Sequence, residues 1–285
     1  MTREIIYGRV LTIGNAEVGK ERRNPMEKND IISDLSGVVA GTIVEASIST
    51  VAPGIGGILG GAVAGNLVEK VFDYVGKEIK QRFLSKREES RITNVMDFAK
   101  KKIDKNLQNN KKLRNDNFFK NIDEYSSAEE ILEGTLLVAQ KEYEERKLQY
   151  IANLYANIAF DDSISCEMAD KLLKISSELT YRQLIILSVI GFAQTSGVHR
   201  KSETYTNVSG LNNVTIASEI FDLYRKSLVF SDQAILDAAG INPSQLKLGG
   251  YGALLYNLME LPKFPFVDRC AIDVLNFLGI LMPTK

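Results

Sequence analysis

Cysteine and histidine are nearly missing from this chain of 285 residues, which holds Cys166, Cys270 and the single His199. Two cysteines far apart in sequence make no disulfide scaffold, and a reducing cytoplasm is their expected setting. A Cys/His zinc site cannot be assembled from so few ligands. Excess charge is missing too. The net charge is −1, so bulk charge selects no partner and any electrostatic role must come from local asymmetry. No fixed-period repeat is present, which excludes a solenoid. The first 25 residues lack the unbroken apolar run of a signal peptide, because Gly8 and Arg9 interrupt it. What remains, 45% hydrophobic and 25% charged residues, is the composition of a folded protein with one large or two ordinary domains.

The pattern along the chain predicts a mainly α fold with minor β. Residues 1–30 read as a strand-like piece, "EIIYGRVLTI", and a polar linker. Residues 31–120 read as a glycine-rich apolar helical hairpin over 31–75 and a basic helix running to about residue 114. Asp34 and Ser36 are N-cap candidates for the first arm, and Pro53-Gly54 breaks it near Ala52. The second arm starts near Ile55 and continues without interruption through Val71, Tyr74, Val75, Ile79 and Phe83, which keep helical spacing. Residues 121–285 read as a helical body. In it Ser126 and Glu129 stand at capping-box spacing and Thr180 caps "YRQLIILSVIGFA". The helix opened by Ser126 is expected to run to Phe160. "LKLGGYGALLYNLMEL" resembles the wing-and-helix arrangement of small regulatory domains.

No catalytic constellation emerges, and the chain reads as a non-enzyme without cofactor or metal. "GNAEVGKE" (Gly14–Glu21) matches G-x-x-x-x-G-K, but Glu21 stands where a Mg²⁺-binding hydroxyl is required. "GIGG" lacks the third dinucleotide-binding glycine, with Leu59 in its place. Asp161 and Asp162 read as a helix terminator, His199 as a solvated loop residue, and both cysteines as buried packing residues.

The unusual segment is "APGIGGILGGAVAG" at Ala52–Gly65. Gly57, Gly61 and Gly65 fall four apart, as do Gly37 and Gly41, and on helices they form ridges that admit another backbone closely. Each interior glycine costs about 1 kcal/mol of helix stability relative to alanine, so a compensating close contact is expected. As helices the two arms would span about 28 Å and 22 Å, against a hydrocarbon core of about 30 Å. Glu45, mid-way along the first arm, is expected to face a protein interior or a water-filled path. Small residues at subunit contacts with Glu45 inside make a coherent oligomeric bundle. A hairpin buried in the core of a soluble protein is the alternative.

Charge is segregated next to it. Lys77–Arg114 holds thirteen basic against five acidic residues, and Asp123–Lys147 holds eight acidic against three basic. Lys100, Lys101, Lys102, Lys105, Lys111, Lys112 and Arg114, with Phe118 and Phe119 nearby, are candidate contacts for anionic lipid or a single-stranded nucleic acid. A solvated face paired with the acidic segment accounts for them equally.

The stretch "GGILGGAVAGNLVEKVFDYVGKEIKQRF" and the layout of hairpin, basic helix and helical body resemble the channel-forming membrane effectors of bacterial anti-phage defence, of the Hailong type. The resemblance implies a homo-oligomeric, tetrameric ion channel in the bacterial inner membrane with a cytoplasmic body. It implies a channel held shut by a single-stranded DNA oligomer, whose loss on infection depolarises the cell. The competing expectation is a cytoplasmic helical interaction or nucleic-acid-binding module.

Overall fold

The computed structural model describes residues 59–82, 84–121, 124–202, 208–232 and 240–280, with side chains from residue 64 onward. The segment 1–30, the first arm, and Gly37, Gly41, Glu45 and Gly57 lie outside the described residues. The described chain is mainly α, as expected, with nine α-helices and one two-stranded sheet.

Five helices form an N-terminal layer. They are α1 (Leu59–Lys80), α2 (Lys86–Gln108), α3 (Ser127–Lys141), α4 (Leu148–Ile158) and α5 (Cys166–Glu178). The stripe Ile92, Val95, Met96, Ala99 and Ile103 is buried along α2. Its spacing of three and four makes one apolar face, which packs on α3 and α4. Helices α1 and α5 pack on α3.

The single long arm expected from Ile55 is two helices. The Ser85 side chain accepts the Glu88 N–H at 3.3 Å while Glu88 accepts the Ser85 N–H at 2.8 Å. This reciprocal cap starts a new helix and satisfies N–H groups that would otherwise be orphaned. The helix opened by Ser126 is also shorter than expected. It has the anticipated capping box but ends at Lys141. There the Glu142 carboxylate accepts the Glu144 N–H at 2.8 Å and pairs with the buried Lys147, which turns the chain before α4.

The C-terminal layer is built on α6 (Tyr181–Ser196), buried on nearly every side. Such a helix belongs at a centre. Thr180 and Gln183 form its capping box, and Gly197, at φ 66°, ends it in the left-handed region. Around it lie α7 (Leu211–Arg225), β1 (Val229–Ser231), β2 (Leu246–Leu248), α8 (Gly250–Leu258) and α9 (Arg269–Leu278). The strands are antiparallel, with Val229 opposite Leu248 and Ser231 opposite Leu246. Gly252 lets α8 cross the end of β1, since a Cβ there would lie 1.9 Å from the Leu228 carbonyl oxygen. In turn α8 packs against α4 and α5 and so joins the two layers.

Candidate functional site

The glycine-bearing arm is held at one end. Val68, Val71, Phe72, Val75 and Ile79 of α1 are buried, and the Phe72 ring meets Tyr155 of α4 edge-on with centroids 6.0 Å apart. These residues follow helical spacing, so the same stripe continues N-terminally through Gly65 and Gly61. Among the described residues nothing covers it at Gly65. A Cβ at Gly65 would meet nothing within 4 Å, whereas one at Gly76 would touch the Met96 Cε at 3.4 Å. Beside the stripe, Leu67 and Tyr74 are each 38% exposed, and Tyr74 contacts the exposed Tyr125 ring. Burial, followed by its contacts with Tyr125, pushes the Tyr74 phenol up to about 12, so it is neutral across the physiological range. Among the described residues no helix is long and apolar enough to cross a membrane.

The seven candidate basic residues divide by burial. Lys101 pairs with Asp97 one turn back, at 2.6 Å. Lys105, Lys111 and Lys112 are exposed, and Lys100 is half-buried. Lys102 and Arg114 are buried, and their charge is used internally. The Arg114 guanidinium pairs with Asp116, donates to the Ile158 carbonyl at 3.5 Å and stacks on the Phe118 ring at 4.4 Å. That hydrogen bonding holds the Asp116 carboxyl below its usual range. Phe118 is only 2% exposed and offers no stacking surface to a base. The lysines left at the surface neighbour Asp97, Asp104 and Asp116.

No known protein family, curated protein or solved structure matches the chain. The site therefore rests on its own residues.

Lys102 leads to a feature that the sequence reading missed. Its Nζ donates to Glu260 Oε1 at 2.5 Å, across 158 residues. Lys263 donates to the same oxygen at 2.6 Å. Burial raises the Glu260 pKa, but the two ammonium groups outweigh it and hold the carboxyl below its usual range. Around this carboxylate, Asn157 donates to the Leu258 carbonyl at 2.8 Å and Asn153 to the Met259 carbonyl at 3.3 Å. These side chains of α4 cap the C-terminal carbonyls of α8, which α8 cannot satisfy itself. Only the two Asn on α4, one turn apart, hinted at this in the sequence.

Elsewhere the candidate chemistry is structural. Asp161 accepts from the Ser163 N–H and hydroxyl and shapes the turn before α5. Cys166 and Cys270 are half-buried free thiols, and burial pushes the Cys270 thiol up. His199 is exposed. Among the described residues no group of three His, Cys, Asp or Glu side chains is placed to hold a metal.

Proposed function

We propose that the chain is an oligomeric, membrane-acting effector, an ion channel of the anti-phage defence kind, whose helical body carries a glycine-rich arm into contacts between subunits. The observation that supports this is the open face at Gly65. A buried apolar stripe runs up α1, and among the described residues nothing lies against its continuation at Gly65. A helix that surrenders about 1 kcal/mol at each glycine gains it back when another backbone docks closely. Gly61 extends the same face, and Gly57, Gly37, Gly41 and Glu45 belong to the proposed assembly by sequence. The body would be cytoplasmic. A ligand such as a single-stranded oligonucleotide, meeting the exposed Lys105, Lys111 and Lys112, would act by preferring one state of the assembly.

Gly65→Leu tests the reading. With no described residue against the site, the protomer loses no contact and its helix improves, so the thermal midpoint should hold or rise. Oligomer size in detergent should fall and toxicity on expression should be lost. Retention of both would remove the ridge as an interface. The membrane arm is tested separately by fractionation, where the protein should stay with the membrane after a high-salt wash.

A soluble interaction module is the second reading. It is favoured by the start of α7, where Leu211 is 85% and Val214 46% exposed, an apolar end that suits protein contact.

A further inference from the structure

Three carboxylates gather at the start of α6, and one of them is only half satisfied. From the turn before α4, Glu144 accepts the Tyr181 N–H at 2.9 Å. From α7, Asp222 accepts the Gln183 amide N–H at 3.0 Å, and Glu219 Oε1 accepts the Thr180 hydroxyl at 3.1 Å. The two α7 bonds tie that helix to the capping residues of α6. The other Glu219 oxygen, Oε2, is buried and has no hydrogen-bond partner among the described residues. Its charged neighbour is Arg182, whose Nε stands 3.6 Å away, too far for a hydrogen bond. The Glu219 side chain is only 16% exposed. A charged oxygen buried without a donor costs far more free energy than a neutral one in the same place.

The groups around Glu219 decide which form it takes. The Arg182 guanidinium and the Thr180 hydroxyl face it from α6, Glu144 from the turn before α4, Asp222 from α7 itself, and from α9 the Cys270 thiol, which also lies against Arg182. Burial comes first and pushes the Glu219 carboxyl up. Arg182 and Thr180 oppose it, Glu144 and Asp222 add to it, and the balance stays above the ordinary 4.5. Burial raises Asp222 too, but there the bonds from Gln183 and Arg225 outweigh it and hold the carboxyl below its usual range. Neighbouring carboxylates divided in this way take up protons in turn, Glu219 before Asp222.

We propose that Glu219 is a proton-operated latch between α6 and α7, loosened when its half-satisfied carboxylate is charged and closed when it is neutral. A group whose folded pKa stands above its unfolded value contributes stability that is present below the unfolded value and lost as pH rises through the folded one. Helix α7 is therefore held more firmly in weak acid than at neutrality. The exposed Leu211 and Val214 ride on the same helix, so the latch sets how firmly that apolar end is presented. It uses no residue of the glycine-bearing arm and depends on neither reading of the function.

The test is amide hydrogen exchange of α7 in the full-length protein from about pH 7.5 to about pH 5, corrected for intrinsic rates, with carboxyl-carbon NMR of Glu219 in parallel. The Glu219 midpoint should lie above 4.5. Protection of α7 should rise on acidification, by up to about tenfold for each unit of that excess. Glu219→Gln mimics the neutral form. At neutral pH its α7 should be protected at least as well as in wild type, and the pH dependence should vanish. Glu144→Gln still accepts the Tyr181 N–H but removes a neighbouring negative charge, so it should lower the Glu219 midpoint. A wild-type midpoint at or below 4.5 overturns the proposal without any variant. So does a Glu219→Gln protein that loses α7 protection or fails to fold at neutral pH, because the charged carboxylate would then be what holds the helix.

Discussion

Two glycines two residues apart show how far single positions differ in this fold. At Gly252 a Cβ would press on the Leu228 carbonyl oxygen at 1.9 Å and on its carbon at 2.8 Å. Both are backbone atoms, fixed by the start of β1, and cannot rotate away. At Gly250 a Cβ would meet nothing within 4 Å. Gly252→Ala is therefore expected to lower stability by about 1–3 kcal/mol, the usual cost of forcing atoms into filled space. Gly250→Ala, by contrast, should be neutral or mildly stabilising. Urea unfolding of the two variants side by side checks the contrast. In the sequence the two glycines stand in one short stretch, "GGYG". The difference arises from Leu228, 24 residues earlier, and a local pattern carries no trace of so distant a contact.

At the scale of elements, the helix starts decide the architecture. The α2 cap depends on a carboxylate. The Ser85 hydroxyl, then the Ser85 backbone and Gln140, hold the Glu88 pKa down at about 2, against an ordinary 4.5. A group with a depressed folded pKa contributes stability that is present above the unfolded value and lost as pH falls through the folded one. The cap should thus weaken as pH drops from about 4.5 toward 2, with the amide of Ser85 losing exchange protection in that window. Glu88→Gln should remove the pH dependence, because a neutral amide still accepts the bond. Two other caps, at Ser126 and Thr180, were legible as S/T-x-x-E/Q patterns before apolar runs. "SKRE" fits the same pattern, yet it lies between two apolar runs that keep helical spacing. The apolar spacing of Val71 to Phe83 resumes at Ile92, and periodicity reports which face is buried but says little about where a helix stops.

On the scale of the whole molecule, the buried apolar residues of the two layers join in one core among the described residues, and polar side chains add ties between the layers. Lys102 on α2 reaches Glu260 beyond α8 while Asn153 and Asn157 cap α8 from α4. Lys102→Ala leaves a partly buried carboxylate short of its main partner. It should cost toward the low end of the roughly 3–5 kcal/mol for a broken buried pair. Chemical unfolding measures this, and Lys102→Met should recover part of the loss by restoring packing. Counting charges along the sequence placed Lys102 and Arg114 in a basic surface cluster. Counting cannot see burial, and the partner of Lys102 lies 158 residues away. The helical class was legible because hydrophobic periodicity is local. The polar junction was not, because it exists only once α2, α4 and α8 have met.

The clamping of α1 has a mechanical corollary. A rod gripped along Val68–Ile79, with nothing against Gly65 among the described residues, behaves as a cantilever. A helix is stiff over this length, so a sideways push at the glycine end cannot be absorbed by bending and arrives as torque on Phe72 and its neighbours. Rotation of the Phe72 and Tyr155 rings past each other would be the first internal sign that the tip has been loaded.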